Sequence, residues 1–142
     1  MSLTTLPLVY SCSGCSSAAQ MANHFALRLD REGLAEMSCI AGVGGGVPAL
    51  LRAARRPRPI LALDGCPLHC VLACLRQAGI EATHSLELST LGVKKLKRTD
   101  FCATQAERIW RETILPAAQT LAEPRRDHGD RCFAAPLRGL PA

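Results

Sequence analysis

The chain has 142 residues and a net charge of +5, and 48% of its residues are hydrophobic while 20% are charged. This length suits one domain, and this composition excludes a chain that is disordered throughout. With only one tryptophan, one tyrosine and three phenylalanines, the chain also lacks the aromatic platforms on which single-stranded nucleic acid stacks.

The hydrophobic pattern predicts strands and helices in alternation. Continuous apolar runs indicate buried strands, and apolar residues at three- and four-residue steps indicate helices. In chain order, the predicted elements are a strand over residues 6–11, a helix over 16–31, a strand over 34–39, a glycine-rich turn over 42–46, a helix over 47–56, a strand over 60–63, a helix over 67–77, a strand over 83–88 and a helix over 100–115.

Glycine, proline and capping residues set the predicted element ends. Gly33 is expected to end the first helix. Pro67 suits the first turn of the third helix, which would make Cys66 the N-cap of that helix. Asp100 is the expected N-cap of the last helix, and Pro116 is expected to end it.

This order of elements predicts an α/β fold. We expect a three-layer, open, mostly parallel sheet of about four strands flanked by helices. Residues 1–116 would form a cysteine-rich metal-binding domain, and residues 117–142 a basic, flexible C-terminal tail. The tail is rich in Pro, Arg, Asp and Gly from Glu123 onward.

The positive charge is concentrated in residues 52–58, 94–98 and 125–131. A basic surface can meet a polyanion, but no nucleic-acid-binding motif accompanies these runs. We therefore interpret them as solvated surface and a charged tail, and we do not expect nucleic acid to be a partner.

The eight cysteines are informative because of the expected compartment. The first twelve residues contain no lysine or arginine, so no secretory signal is visible, and nothing approaches the ~20 apolar residues of a membrane span. We expect a cytoplasmic protein without a membrane segment. In reducing cytosol, many cysteines indicate metal or redox chemistry rather than disulfides.

Three successive predicted strands deliver cysteine to one edge of the sheet. Cys12 and Cys15 follow the first strand, Cys39 ends the second, and Cys66 follows the third. Functional groups of open parallel sheets gather at the carboxyl ends of the strands. The sequence therefore predicts a thiol cluster at that edge.

Two motifs carry the candidate ligands. In Cys12-Ser-Gly-Cys15, two residues between the thiols suit two corners of a tetrahedral zinc site, and the same spacing also suits a dithiol redox pair. In Asp64-Gly-Cys-Pro-Leu-His-Cys70, a thiolate at Cys66 would be favoured by a helix N-terminus, and Cys70 would lie one turn further along the same face.

Helix geometry limits how many cysteines can share one ion. Cys74 lies eight residues after Cys66, which is about 12 Å along a helix axis, so both cannot bind one zinc. We assign Cys74 to the core, to a larger cluster or to a second site. Cys39 is expected either to replace one ligand or to supply a reactive thiol beside the metal.

Other residues near the motifs have several possible roles. His69 lies between two candidate ligands and is a further candidate, although on a helix it would face away from Cys70. Asp64 is expected to accept hydrogen bonds from turn amides and to orient the loop. Cys102 is expected to be a buried small hydrophobic residue, and Cys132 in the tail to be incidental.

With these motifs in view, the chain resembles the DGC-domain family, named for an Asp-Gly-Cys motif. The matching stretches cover roughly residues 7–115 and are residues 10–15, 37–46, 63–67 through Cys70 and Cys74, and 91–95. That family is regarded as zinc-binding because of its cysteines, and its biochemical function is not established. The resemblance implies zinc ligands at Cys12, Cys15, Cys66 and Cys70, with Cys39 also in a matching motif.

Three functions follow from these observations. The first is a zinc-binding protein of structural or accessory role, because four thiolates close the coordination shell. The second is a thiol-based redox or sulfur-transfer protein that uses Cys66 as the reactive thiolate. The third is an iron–sulfur protein, which the number and type of ligands also permit.

Overall fold

The computed structural model of the protein describes residues 6–122. The strands and helices alternate as predicted. In chain order they are β1 (Leu8–Ser11), α1 (Ser17–Arg31), β2 (Glu36–Met37), α2 (Ile40–Gly44), α3 (Pro48–Ala54), β3 (Ile60–Asp64), α4 (Cys70–Gln77), β4 (His84–Glu87), a 3-10 turn (Leu88–Leu91), α5 (Ala103–Ile109), a π-helical turn (Trp110–Ile114) and α6 (Leu115–Ala122).

The four strands form one parallel sheet in the order β2-β1-β3-β4. The register pairs Leu8 of β1 with Ile60 of β3, and Leu61 of β3 with His84 of β4. All four carboxyl ends therefore meet at the same edge. The predicted α/β fold with a mostly parallel sheet is confirmed, and every strand pairing in residues 6–122 is parallel.

Both faces of the sheet are covered. Alternate strand residues point to opposite faces, so Val9 and Leu61 pack under α1 and the helix that runs from α5 to α6. Tyr10 and Ala62 pack on the other face against α2, α3 and α4. These two apolar layers give the predicted three-layer architecture.

Several predicted element boundaries are wrong. The predicted strand over residues 34–39 is only the two-residue β2. Residues 42–44 of the glycine-rich run belong to the short helix α2, and only Gly45 and Gly46 form a turn. Glycine permits that helix to pack closely, since a Cβ on Gly42 would lie 1.9 Å from Leu50 Cδ1 and one on Gly44 would lie 2.8 Å from Cys74 Sγ.

The last helix also differs from its prediction. It begins at Ala103 after Cys102, so Asp100 is not its N-cap. It continues past Pro116 to Ala122, because the wider π-helical turn before the proline relaxes the clash of its ring with the preceding turn. Residues 117–122 of the predicted tail over 117–142 therefore belong to α6. The rest of that tail, with Cys132, lies outside the described residues.

No helix within residues 6–122 is long and apolar enough to cross a membrane. The cytoplasmic location stays a prediction.

Candidate functional site

The carboxyl edge of the sheet carries a cavity of about 450 Å³. The loops that follow β1 and β3 form two of its walls, and α2 and α4 contribute further walls. Five cysteines line it: Cys12, Cys15, Cys66, Cys70 and Cys74. The structure therefore brings four of the five predicted ligands, all except Cys39, to one cavity.

Cys12 is half-buried in the wall of this cavity. Its backbone N–H donates to the Leu63 carbonyl at 3.0 Å, which extends the β1–β3 pairing by one residue. Its Sγ accepts a hydrogen bond from the Gly65 N–H at 3.2 Å. Burial raises the pKa of the Cys12 thiol to about 11, although the Gly65 hydrogen bond opposes that rise. If a cation displaced the proton of the Cys12 thiol, it would bind a sulfur that the Gly65 amide already orients.

Gly65 is buried where α1 approaches the loop after β3. A Cβ at this position would lie 2.7 Å from the Ala18 carbonyl carbon and 2.9 Å from the Ala19 nitrogen. Only glycine fits this approach without a shift of backbone. The approach keeps the Gly65 N–H directed at Cys12, a packing role that the sequence pattern did not reveal.

Asp64 is the buried carboxylate at the end of β3, with 2% of its surface exposed. Its Oδ1 accepts the Val71 N–H at 2.9 Å, and its Oδ2 accepts the Leu72 N–H at 3.5 Å. Burial raises the pKa of Asp64, and these two hydrogen bonds oppose the rise. Asp64 thus caps α4 from the neighbouring strand, and it orients the start of the helix rather than the turn amides.

The start of α4 corrects one part of the sequence prediction. The helix begins at Cys70, and residues 66–68 form a turn in which the Cys66 carbonyl accepts the His69 N–H at 3.2 Å. Cys66 is therefore not the N-cap, and Cys66 and Cys70 do not share a helix face. The helix begins where Asp64 can satisfy its free N–H groups, not at Pro67.

His69 points away from the cysteines. It is the N-cap residue of α4 and has a left-handed backbone with φ of 52°. Its Nε2 lies 3.3 Å from Glu87 Oε2 at the end of β4. Together with Asp64, both side chains line a separate cavity of about 240 Å³, and His69 is not among the residues that line the thiol cavity.

Cys66 is half-buried and has a cationic neighbour. The Lys95 Nζ donates to Cys66 Sγ at 3.4 Å. Lys97 lines the same cavity. The sequence predicts only basic surface for residues 94–98, because nothing in it indicates that this loop folds back onto the cysteines.

Cys74 lines the cavity one helical turn after Cys70. Burial raises the pKa of its thiol, and the nearby Cys70 adds to the effect. The predicted separation of about 12 Å from Cys66 assumed that both residues lie on one helix. Because Cys66 precedes the helix, that reason for excluding Cys74 is wrong.

Two cysteines lie away from the cavity wall. Cys39 is exposed and caps α2, where its Sγ accepts the Gly42 N–H at 3.4 Å. Cys102 is exposed at the start of α5, so its prediction as a buried residue is wrong. No cysteine within residues 6–122 forms a disulfide.

The cysteine side chains surround the cavity without converging. In the described part of the chain, no three His, Cys, Asp or Glu side chains stand close enough together to hold a metal ion. The donor chemistry nevertheless suits zinc, which favours thiolates. Metal coordination would require the cysteine sulfurs to stand closer together than they do here. The predicted ligand set stays a prediction.

Comparison with known proteins identifies the family. Residues 8–113 match the model of the DGC domain. The chain belongs to the DGC-domain family. It is also 63% identical over 107 residues to the anaerobic and virulence modulator AnvM of Pseudomonas aeruginosa, an alignment that covers 75% of this chain and 82% of that protein. No solved structure matches the chain significantly.

The DGC motif of this family has a distinct physical role at each position in this chain. Asp64 caps α4, Gly65 allows α1 to approach and donates to Cys12, and Cys66 faces the cavity beside Lys95. The motif thus positions the ends of β1 and β3 and the start of α4 around the thiol cavity.

Proposed function

We propose that this DGC-domain protein binds zinc through the thiolates of Cys12, Cys15, Cys66 and Cys70. The observation that carries the proposal is the shared cavity, which these four residues line at the carboxyl edge of the sheet. Cys74 lines the same cavity and is an alternative fourth ligand. Cys39 would have to give up its capping bond to Gly42 before it could reach the site.

Hydrogen-bond donors that face the sulfurs support the proposal. The Gly65 N–H is directed at Cys12 Sγ, and the Lys95 ammonium at Cys66 Sγ. Donors of this kind hold metal ligands in position and offset their negative charge. A zinc ion with four thiolates carries a charge of about −2, and Lys95 and Lys97 in the cavity wall would balance it.

A site with four thiolates favours a structural or accessory role. The coordination shell would be closed, with no position left for a substrate at the metal. Binding would join the loops after β1 and β3 to α4, and so would stabilise the carboxyl edge of the sheet. The Pseudomonas relative is named an anaerobic and virulence modulator, and oxidation of a thiolate site would give a role of that kind a chemical basis.

Elemental analysis of the full chain purified without oxygen tests the proposal. We expect one zinc per chain in the unmodified protein, and loss of that zinc in the Cys12→Ser, Cys66→Ser and Cys70→Ser variants. Cys102→Ser is the matched control, since Cys102 is exposed and lies outside the cavity. Metal-free protein that melts normally would refute the proposal, and brown protein containing iron and sulfide would favour the iron–sulfur alternative.

The contact between Lys95 and Cys66 favours a second candidate, thiol-based redox or sulfur-transfer chemistry at Cys66. A cation beside sulfur is typical of reactive cysteines. This candidate predicts that Cys66 in metal-free protein reacts with iodoacetamide faster than the exposed Cys102, and that Lys95→Met removes the difference. Equal rates at Cys66 and Cys102 in the unmodified protein would count against it.

A further inference from the structure

The cavity is larger than a single metal site requires. Its volume is about 450 Å³, within the range of about 300–1,000 Å³ that is typical of pockets for small molecules. Besides the cysteines, much of its wall is apolar and comes from α1, α2, α4 and the loop before α4. The apolar residues are Ala19, Ile40, Ala41, Leu68 and Val71.

One wall of this cavity is a basic loop, residues 94–98, which is fastened to the start of α1. Ser17 makes the attachment: its N–H donates to the Leu96 carbonyl at 2.9 Å, its hydroxyl donates to the Lys94 carbonyl at 2.9 Å, and that hydroxyl accepts the Leu96 N–H at 3.0 Å. The loop is therefore held at a fixed distance from the cysteines.

The side chains of the attached basic loop line two different cavities. Lys95 and Lys97 line the thiol cavity. Lys94 and Leu96 line a different, smaller cavity on the other side of the loop. Such alternation is expected of an extended segment, in which neighbouring side chains point in opposite directions.

The positive charge at the thiol cavity is not balanced by carboxylates. Among the residues of the described chain that line it, none is Asp or Glu. Neither Lys95 nor Lys97 forms an ion pair within residues 6–122. Two ammonium groups beside apolar walls attract a ligand that has an anionic group and an apolar body.

We propose that the metal-free cavity binds a small amphipathic anion, whose charged group is held by Lys95 and Lys97, and that a zinc–thiolate centre excludes it. The exclusion rests on the proposed function, because four thiolates around zinc would balance the positive charge of the two lysines and occupy part of the cavity. Anion binding itself needs no metal. Since linkage is reciprocal, the anion would weaken zinc binding as much as zinc weakens anion binding.

The fluorescent dye 8-anilinonaphthalene-1-sulfonate is a suitable probe, and its neutral analogue N-phenyl-1-naphthylamine lacks only the sulfonate. Both are titrated into reduced, metal-free full-length protein. We expect Lys95→Gln/Lys97→Gln to bind the sulfonate dye about tenfold more weakly than the unmodified protein. Lys94→Gln/Arg98→Gln removes the same charge from the same loop away from the cavity, and is expected to change the affinity by less than about twofold.

The neutral dye should bind all three proteins with similar affinity. If both double variants bind the sulfonate dye equally weakly, the proposal is overturned, because the affinity would then depend on the total charge of the loop and not on which lysines line the cavity. The proposal would also be overturned if Lys95→Gln/Lys97→Gln weakened binding of the neutral dye as much as binding of the sulfonate dye. Thermal unfolding of each variant confirms that the dyes report on folded protein.

Addition of zinc separates this inference from the proposed function. We expect zinc to weaken binding of the sulfonate dye to the unmodified protein by about tenfold. Zinc that binds but leaves the dye affinity unchanged would overturn the exclusion. If the protein binds no zinc, the proposed function fails, and the comparison of lysine variants still decides whether the cavity is an anion site.

Discussion

Replacement of Gly65 by alanine tests how the thiol cavity is assembled. The added Cβ would lie 2.7 Å from the Ala18 carbonyl carbon, 0.7 Å closer than the 3.4 Å at which ordinary contact begins. The atoms it meets belong to the backbone of α1, so no side chain can turn away. Overpacking of this kind costs about 1–3 kcal/mol, and the Gly65 N–H would also be displaced from Cys12 Sγ.

The assay is thermal unfolding of reduced, metal-free protein. For a chain of this size, a loss of 2 kcal/mol lowers Tm by roughly 5–12 °C. Gly14→Ala is the matched control at the same cavity, since its Cβ would only reach ordinary contact with the Ala19 side chain at 3.5 Å. If Gly65→Ala melts within about 2 °C of Gly14→Ala, the close approach of α1 does not constrain this loop.

Three further predictions concern α4, α2 and α1. Asp64→Ala should cost about 1–2 kcal/mol and speed hydrogen exchange at the Val71 amide, because α4 loses its cap. Gly44→Ala should destabilise the protein by about 1 kcal/mol, but by much less in a Cys74→Ala background, because the new Cβ meets the Cys74 sulfur. Burial lowers the pKa of His24, so below pH ~6.5 the unfolded chain binds more protons than the folded protein does. The free energy of unfolding should therefore fall as the pH drops below that value, and it should fall less steeply in His24→Gln.

Each of these predictions has a clear contrary result. Unchanged exchange at Val71 would mean that Asp64 does not cap α4. Equal effects of Gly44→Ala in both backgrounds in urea unfolding would mean that the helix contact lies elsewhere. A His24→Gln variant whose Tm between pH 8 and pH 5 parallels that of the unmodified protein would show that His24 does not contribute to the acid dependence.

The sequence predicted the sheet because its strands are marked by local pattern. The apolar run of β3 is fully buried, and α1 begins after the capping residue Ser16 and ends before Gly33, which has a φ of 70°. Parallel strands with cysteines after them also predicted the edge at which the thiols gather. These features depend on neighbours in the chain, which periodicity and capping residues report.

The errors occur where tertiary contacts decide the local structure. The start of α4 is set by Asp64, whose carboxylate reaches the N–H groups of Val71 and Leu72. Gly42 and Gly44 lie in a helix, α2, against which α3 and α4 pack tightly. No local pattern reports contacts of this kind.

The basic loop illustrates the same limit for the site. Ser17 fastens it through bonds to Lys94 and Leu96, which are nearly eighty positions away in the chain. Lys95 thereby reaches Cys66. A single sequence contains no signal for that contact, so it predicts only a solvated basic surface for this run.

X-ray absorption at the zinc edge of the zinc-loaded full chain tests the proposed thiolate centre most directly. Coordination by cysteine thiolates from the cavity predicts a shell of four sulfur atoms at about 2.3 Å from zinc. The same shell should persist in Cys102→Ser, whereas Cys66→Ser is expected to hold no zinc. A shell of nitrogen or oxygen atoms at about 2.0–2.1 Å would contradict a cysteine site in this cavity.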